Sequence, residues 1–175
     1  GDSTWYDDAI QQVIHFNKYL YDPGIKLYKH AWFSQSGETS PVFWCRANGW
    51  IAWAIAEALL WLPKDYPGYD KVMDVFKVHM ESLAGYQDKA GLWHQVLDHP
   101  ETYLETSGSA MYVLAIARGV NHGWLDMKFA EIASRGWQGI AKRITSDGVV
   151  SGICRGTPIG YSVEFYNNRE TFDND

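Results

Sequence analysis

The chain has 175 residues, long enough for one domain with a sizeable core. Its net charge of −6 excludes the basic face that nucleic-acid binders need, so no nucleic acid is expected as a partner. No run approaches the roughly eighteen apolar residues of a membrane span, and the start Gly1-Asp2-Ser3-Thr4 carries neither the basic nor the apolar part of a signal peptide; the chain reads as soluble and already trimmed.

From Trp5 to Tyr21 apolar residues recur with a helical period at Ile10, Val13, Ile14, Leu20 and Tyr21, predicting a helix with one buried face. Asn48 to Leu62 is apolar almost all round until Pro63 stops it, which predicts a fully buried helix. Tyr69 to Ala84 is amphipathic, with Val72, Val75, Phe76, Met80 and Leu83 inward. Leu104 to Val120 returns to near-uniform apolarity. Leu125 to Ile144 puts Phe129, Ile132, Ala133, Trp137, Ile140 and Ile144 on one stripe. Alternation of one-faced and fully buried helices is what a double ring requires, the inner helices touching neighbours on all sides. Turns headed by Asp22, Asp88 and Asp147, each before a short extended segment, recur about 60 residues apart. About two and a half helical-hairpin units are therefore expected, an incomplete toroid with truncation at both ends.

Aromatic residues make up 15% of the chain, including nine Trp, more than a helical core needs. Flat rings with polar tips suit the alternating C–H faces and hydroxyls of sugars. The densest constellation is Phe43-Trp-Cys-Arg-Ala-Asn-Gly-Trp50, where a loop enters the first buried helix. Arg46, Trp50, Trp53 and Glu57 share one face of it. A buried arginine needs an anion, either an internal carboxylate such as Glu57 or Glu105 or a carboxylate on a ligand. A second constellation, Leu92-Trp-His-Gln-Val-Leu-Asp98 followed by Tyr103-Leu-Glu-Thr-Ser107, repeats this layout and offers Glu105 as a functional carboxylate or a helix cap. Asp98, before a Pro-containing loop, is expected to organise that turn. His30 leaves the first extended segment near the same rim. The other histidines have no metal-ligand spacing, and there is no phosphate loop or nucleophile elbow, so no metal and no cofactor is expected. Cys45 and Cys154 could pair in an oxidising compartment, but two isolated Cys in a core-rich chain read first as buried free thiols.

These segments, with Tyr19-Leu-Tyr-Asp-Pro23, Leu27-Tyr-Lys-His-Ala-Trp32, Ser109-Ala-Met111 and Asn174-Asp175, resemble the unsaturated rhamnogalacturonyl and glucuronyl hydrolases of glycoside hydrolase families 105 and 88 in residue and in order. The resemblance implies an all-α (α/α)6 toroid, with residues 1–175 part of one glycosidase domain. The implied enzyme removes a Δ4,5-unsaturated uronic acid from the non-reducing end of lyase-generated oligosaccharides. It does so by hydrating the vinyl ether rather than by the two-carboxylate scheme of most glycosidases. His30, Arg46 and Trp50 match the residues around the unsaturated sugar, with Arg46 near its carboxylate. Trp44 and Trp93 match cleft walls, and Glu105 joins the substrate-binding set. The family's acid/base aspartate would fall before Gly1 and its Gly-rich final helix after Asp175, so no catalytic group is assigned within the chain.

Two other readings stand beside this one. A sugar epimerase on a similar toroid would need paired histidines, and only His30 is placed for such work. A non-catalytic saccharide-binding module fits the missing acid.

Overall fold

The computed structural model describes residues 3–174; Gly1 and Asp2, which open the sequence, and Asp175 of the Asn174-Asp175 motif lie outside the described residues. Five long helices carry the fold: α1 (Ser3–Leu20), α2 (Cys45–Trp61), α3 (Tyr69–Gly85), α4 (Thr106–Asn121) and α5 (Phe129–Ala141). A short α6 (Val163–Asn167) follows near the end. Three antiparallel two-stranded pairs link them: β1 (Tyr21–Asp22) with β2 (Leu27–Tyr28), β3 (Trp93–His94) with β4 (Leu104–Glu105), and β5 (Val150–Cys154) with β6 (Thr171–Asn174).

Helix ends follow local chemistry. Pro63 forces Leu62 into extended backbone at φ −68°, ψ 125°, and α2 stops there. Ser162 caps α6 by accepting from the Phe165 N–H at 3.1 Å. Asp126 accepts from the Lys128 N–H at 2.8 Å in a turn that precedes α5, so the helix begins at Phe129, four residues after the Leu125 start expected from sequence.

The repeated turns are real units. Asp22 accepts from the Gly24 and Ile25 N–H groups, and Asp88 accepts from that of Ala90. Each turn then passes through one left-handed residue, Lys26 at φ 62°, Gly91 at 89° and Gly148 at 90°.

α4 is the central helix, packed on α2 to one side and α5 to the other. It crosses α2 at two glycines: a Cβ on Gly49 would stand 2.8 Å from Met111 Sδ, and one on Gly108 2.6 Å from Cys45 Sγ. Only glycine lets the backbones come this close. α3 packs against α2 and α4 through Val72, Phe76, Met80 and Leu83, all fully buried, and α1 rests on α3 through Ile10. Cys45 and Cys154 are both buried and unbridged.

α2 is not buried all round, as its composition had implied. Its core face holds Ala52, Ile55, Ala56 and Leu59, while Trp50 (54% exposed), Trp53 and Trp61 (71%) stand on the face that no described element covers. Likewise Trp137 belongs to the α5 stripe yet is 59% exposed, beside Ala110 and Leu114 of α4. The apolar pattern is wider than the partners present among the described residues.

Candidate functional site

A cavity of about 490 Å³ opens between α1 and α2. Most of its wall is aliphatic, from Val13, Leu20, Ile51 and Ile55, and has nothing to offer a hydroxyl. Its polar and aromatic lining comes from Gln12, Phe16 and Tyr28 and, near the α2 N-terminus, from Lys29, His30, Trp44 and Trp50. Among the described residues no carboxylate lines this cavity. The group near the α2 N-terminus is the candidate site.

His30 comes from the segment just after β2, whose pairing with β1 aims the chain back over the α2 N-terminus. Its Nδ1 lies 2.6 Å from the Tyr166 hydroxyl, and its ring sits 4.5 Å from that of Trp44. Burial, with the Arg46 charge second, pushes its pKa down from 6.5 to about 4, so the ring is neutral at pH 7. Trp44 is the residue before α2. It is 6% exposed, lines the cavity, and donates its indole N–H to Gln95 Oε1 at 3.2 Å. Trp50, one turn into α2, stacks on Trp53 at 5.4 Å and 14° and presents a free face.

Arg46 stands beside this group, 5.0 Å over the Trp44 ring. Its acceptors are ones that sequence reasoning did not consider. One terminal nitrogen donates to the Cys154 carbonyl and to Ser107 Oγ (3.4 Å), the other to the Arg155 carbonyl at 2.8 Å. Glu57 instead holds Arg118, at 2.6 Å. Arg46 thus clamps the loop after β5 onto α2, while its Nε has no partner among the described residues.

Trp93 and Glu105 leave the candidate set. Trp93 is fully buried, donates to the Leu83 carbonyl at 2.7 Å and meets Tyr112 edge-on at 5.1 Å. It is core, not a cleft wall. Glu105 is equally buried, and its carboxylate accepts from Ser107 N–H (3.1 Å), Ser107 Oγ (2.7 Å), Gly108 N–H (2.6 Å) and Cys154 N–H (3.0 Å). It caps α4 and ties it to β5, with nothing left for a substrate. The turn after Asp98 is organised by Thr102, whose hydroxyl donates to the His99 carbonyl and accepts from the Val96 N–H. Asp98 itself has a buried Oδ1 without a hydrogen bond.

Two contributors went unread in the sequence. Gln95 bridges Trp44 to the Cys154 thiol and the Tyr166 carbonyl. Tyr166 reaches His30 across 136 residues. Gln95 lay inside a flagged motif, but no spacing rule connects Tyr166 to His30.

Over residues 1–175 the sequence matches the family model described as Glycosyl Hydrolase Family 88. The chain belongs to glycoside hydrolase family 88. The chain is 31% identical over 163 residues to the unsaturated rhamnogalacturonyl hydrolase YesR of Bacillus subtilis (strain 168), a match covering 93% of this chain and 46% of that protein. It is 36% identical over 123 residues to an unsaturated 3S-rhamnoglycuronyl hydrolase of Alteromonas sp. (strain LOR), 69% of this chain and 29% of that one. The chain spans less than half the length of either. The family 88 chain overlays on a possible GH105 member from Salmonella enterica Paratyphi A with a TM-score of 0.92 at 27% identity, covering 98% of this chain and 46% of that one. A GH105 hydrolase from C. acetobutylicum gives 0.90 at 29%, covering 100% and 55%. The helices are those of the (α/α)6 toroid, and the chain accounts for about half the length of these structures.

Proposed function

We propose that this chain is one part of a single (α/α)6 domain, residues 1–175 of it, in a hydrolase that removes a Δ4,5-unsaturated uronic acid from the non-reducing end of lyase-generated oligosaccharides. The observation that carries the reading is the family match over the full 175 residues, with relatives named for unsaturated rhamnogalacturonyl and rhamnoglycuronyl substrates. The geometry agrees with it. Trp50 offers a ring face to the sugar, Trp44 lines the same cavity, and His30 presents a neutral imidazole. Arg46, with its unpartnered Nε and its guanidinium 5.0 Å over the Trp44 ring, is the group for the uronate.

The reaction follows from the substrate. A proton adds at C4 of the vinyl ether, water adds at C5 and gives up a proton, and the resulting hemiketal opens with loss of the aglycone. That sequence needs a single group able to give and take a proton. The cavity lining supplies no carboxylate among the described residues, and the neutral His30 is no acid at pH 7. The proton donor is therefore assigned to no residue of this chain, whose part is to bind and orient.

The test follows the ultraviolet absorbance of the conjugated double bond on an unsaturated rhamnogalacturonan disaccharide. This chain is compared with one extended at both ends. Turnover by the extended protein alone supports the proposal. Absence of turnover by both, with the helical fold intact, overturns it. The lack of a lining carboxylate also favours a second reading, a saccharide-binding module, which predicts equal affinity for saturated and unsaturated uronides.

A further inference from the structure

The hydrogen bonds around Tyr166 fix more than a contact. Tyr166 is fully buried, so its hydroxyl must find its partners inside the protein. That hydroxyl accepts from the Gly160 N–H at 3.0 Å and lies 2.6 Å from His30 Nδ1. A phenol carries one proton to donate. With a lone pair already engaged by Gly160, the proton has one acceptor in reach among the described residues, His30 Nδ1. The opposite arrangement, a proton on Nδ1, would make the hydroxyl accept twice and strand its own O–H in a buried site.

We propose that Tyr166 is a positioning residue that fixes His30 as the Nε2–H tautomer, so that the ring presents a hydrogen-bond donor, not a base, to the cavity. Nε2 has no partner among the described residues, and His30 lines the cavity. The ring plane is held from two sides, by Trp44 at 4.5 Å and by Tyr166 at 5.6 Å and 75°. Tyr166 is itself held by the site: Gln95 donates to its carbonyl at 3.2 Å while accepting from Trp44, and Arg46 clamps the preceding loop at Cys154 and Arg155. Burial and the Arg46 charge keep the imidazole unprotonated, which preserves an acceptor at Nδ1 for the phenol.

The ligand atom opposite His30 is then an acceptor oxygen: a sugar hydroxyl, a ring or glycosidic oxygen, or a carboxylate oxygen. Naming it a sugar oxygen rests on the function proposed above; the tautomer does not.

The experiment uses the full chain labelled with 15N-histidine, read by long-range proton–nitrogen correlation at neutral pH, with His30 assigned by the signals missing from His30→Gln. The expected spectrum shows an unprotonated Nδ1 and a protonated Nε2 at His30. In Tyr166→Phe, which keeps the ring but removes the donor, both nitrogens shift toward the average of two tautomers. Binding of the unsaturated rhamnogalacturonan disaccharide weakens by about two- to tenfold in the same variant, the size of one lost hydrogen bond. A protonated Nδ1 in the wild-type chain overturns the inference, as does an unchanged His30 signature in Tyr166→Phe. Should the disaccharide bind neither protein while the spectra are as expected, the positioning role stands and the functional reading is what fails.

Discussion

Glu105→Gln isolates the most heavily used side chain of the site's scaffold. The carboxylate accepts four hydrogen bonds, three at Oε1 from Ser107 N–H, Ser107 Oγ and Cys154 N–H, and one at Oε2 from Gly108 N–H at 2.6 Å. A glutamine retains one acceptor oxygen. Its better orientation keeps the three bonds and turns an amide NH₂ toward the Gly108 N–H, donor against donor. The lost cap bond costs about 0.5–2 kcal/mol. The three remaining bonds pass from charge-assisted to neutral, roughly 1 kcal/mol each at most. Together these predict a loss of about 1–5 kcal/mol. Urea unfolding followed by tryptophan fluorescence measures it as a fall in midpoint at unchanged slope. A loss below about 1 kcal/mol, or full stability with saccharide binding abolished, would refute the assignment of Glu105 as a structural cap.

Trp93→Ala should cost about 3–5 kcal/mol because it empties a buried site, whereas Trp50→Ala should stay within about 0.5 kcal/mol in stability and instead weaken saccharide binding. Denaturation and calorimetric titration of the pair separate core from cleft. Gly108→Ala puts a Cβ 2.6 Å from Cys45 Sγ and 3.0 Å from the Cys45 carbonyl carbon, and should destabilise by about 1–3 kcal/mol in the same unfolding assay. Two histidines are held neutral in the fold, His30 at about 4 and His79 at about 3, against 6.5 unfolded. Their folded values are depressed, so the unfolded chain binds more protons between these limits and stability falls as pH drops from about 6.5 toward 4. His30→Gln should flatten the part of that slope due to His30, and an unaltered profile would mean that the imidazole titrates normally.

The helices were legible because their apolar periods are long and regular, and Pro63 marked the end of α2 without ambiguity. The repeated turns were legible from their aspartates, although the left-handed conformation in the first one falls on Lys26, which nothing in its type announces. The sites of Trp93 and Glu105 misled for a physical reason. They lie on two-residue strands, too short to display the alternation that tells which face a side chain takes. Trp93 turned into the core and Glu105 onto its own helix. His30, Trp44 and Trp50 did gather as their motifs implied. For Arg46, sequence reasoning sought a carboxylate because backbone carbonyls from a distant loop have no signature in residue type.

The long reach from His30 to Tyr166 has a consequence for how the protein is made. A nascent chain emerging from its N-terminus displays His30, Trp44 and Trp50 early, but the imidazole has no phenol to orient it until residue 166 has been synthesised and the loop after β5 has docked. Closing so large a loop is slow relative to forming helices. The His30–Tyr166 contact therefore forms only once nearly all of the described chain has been made.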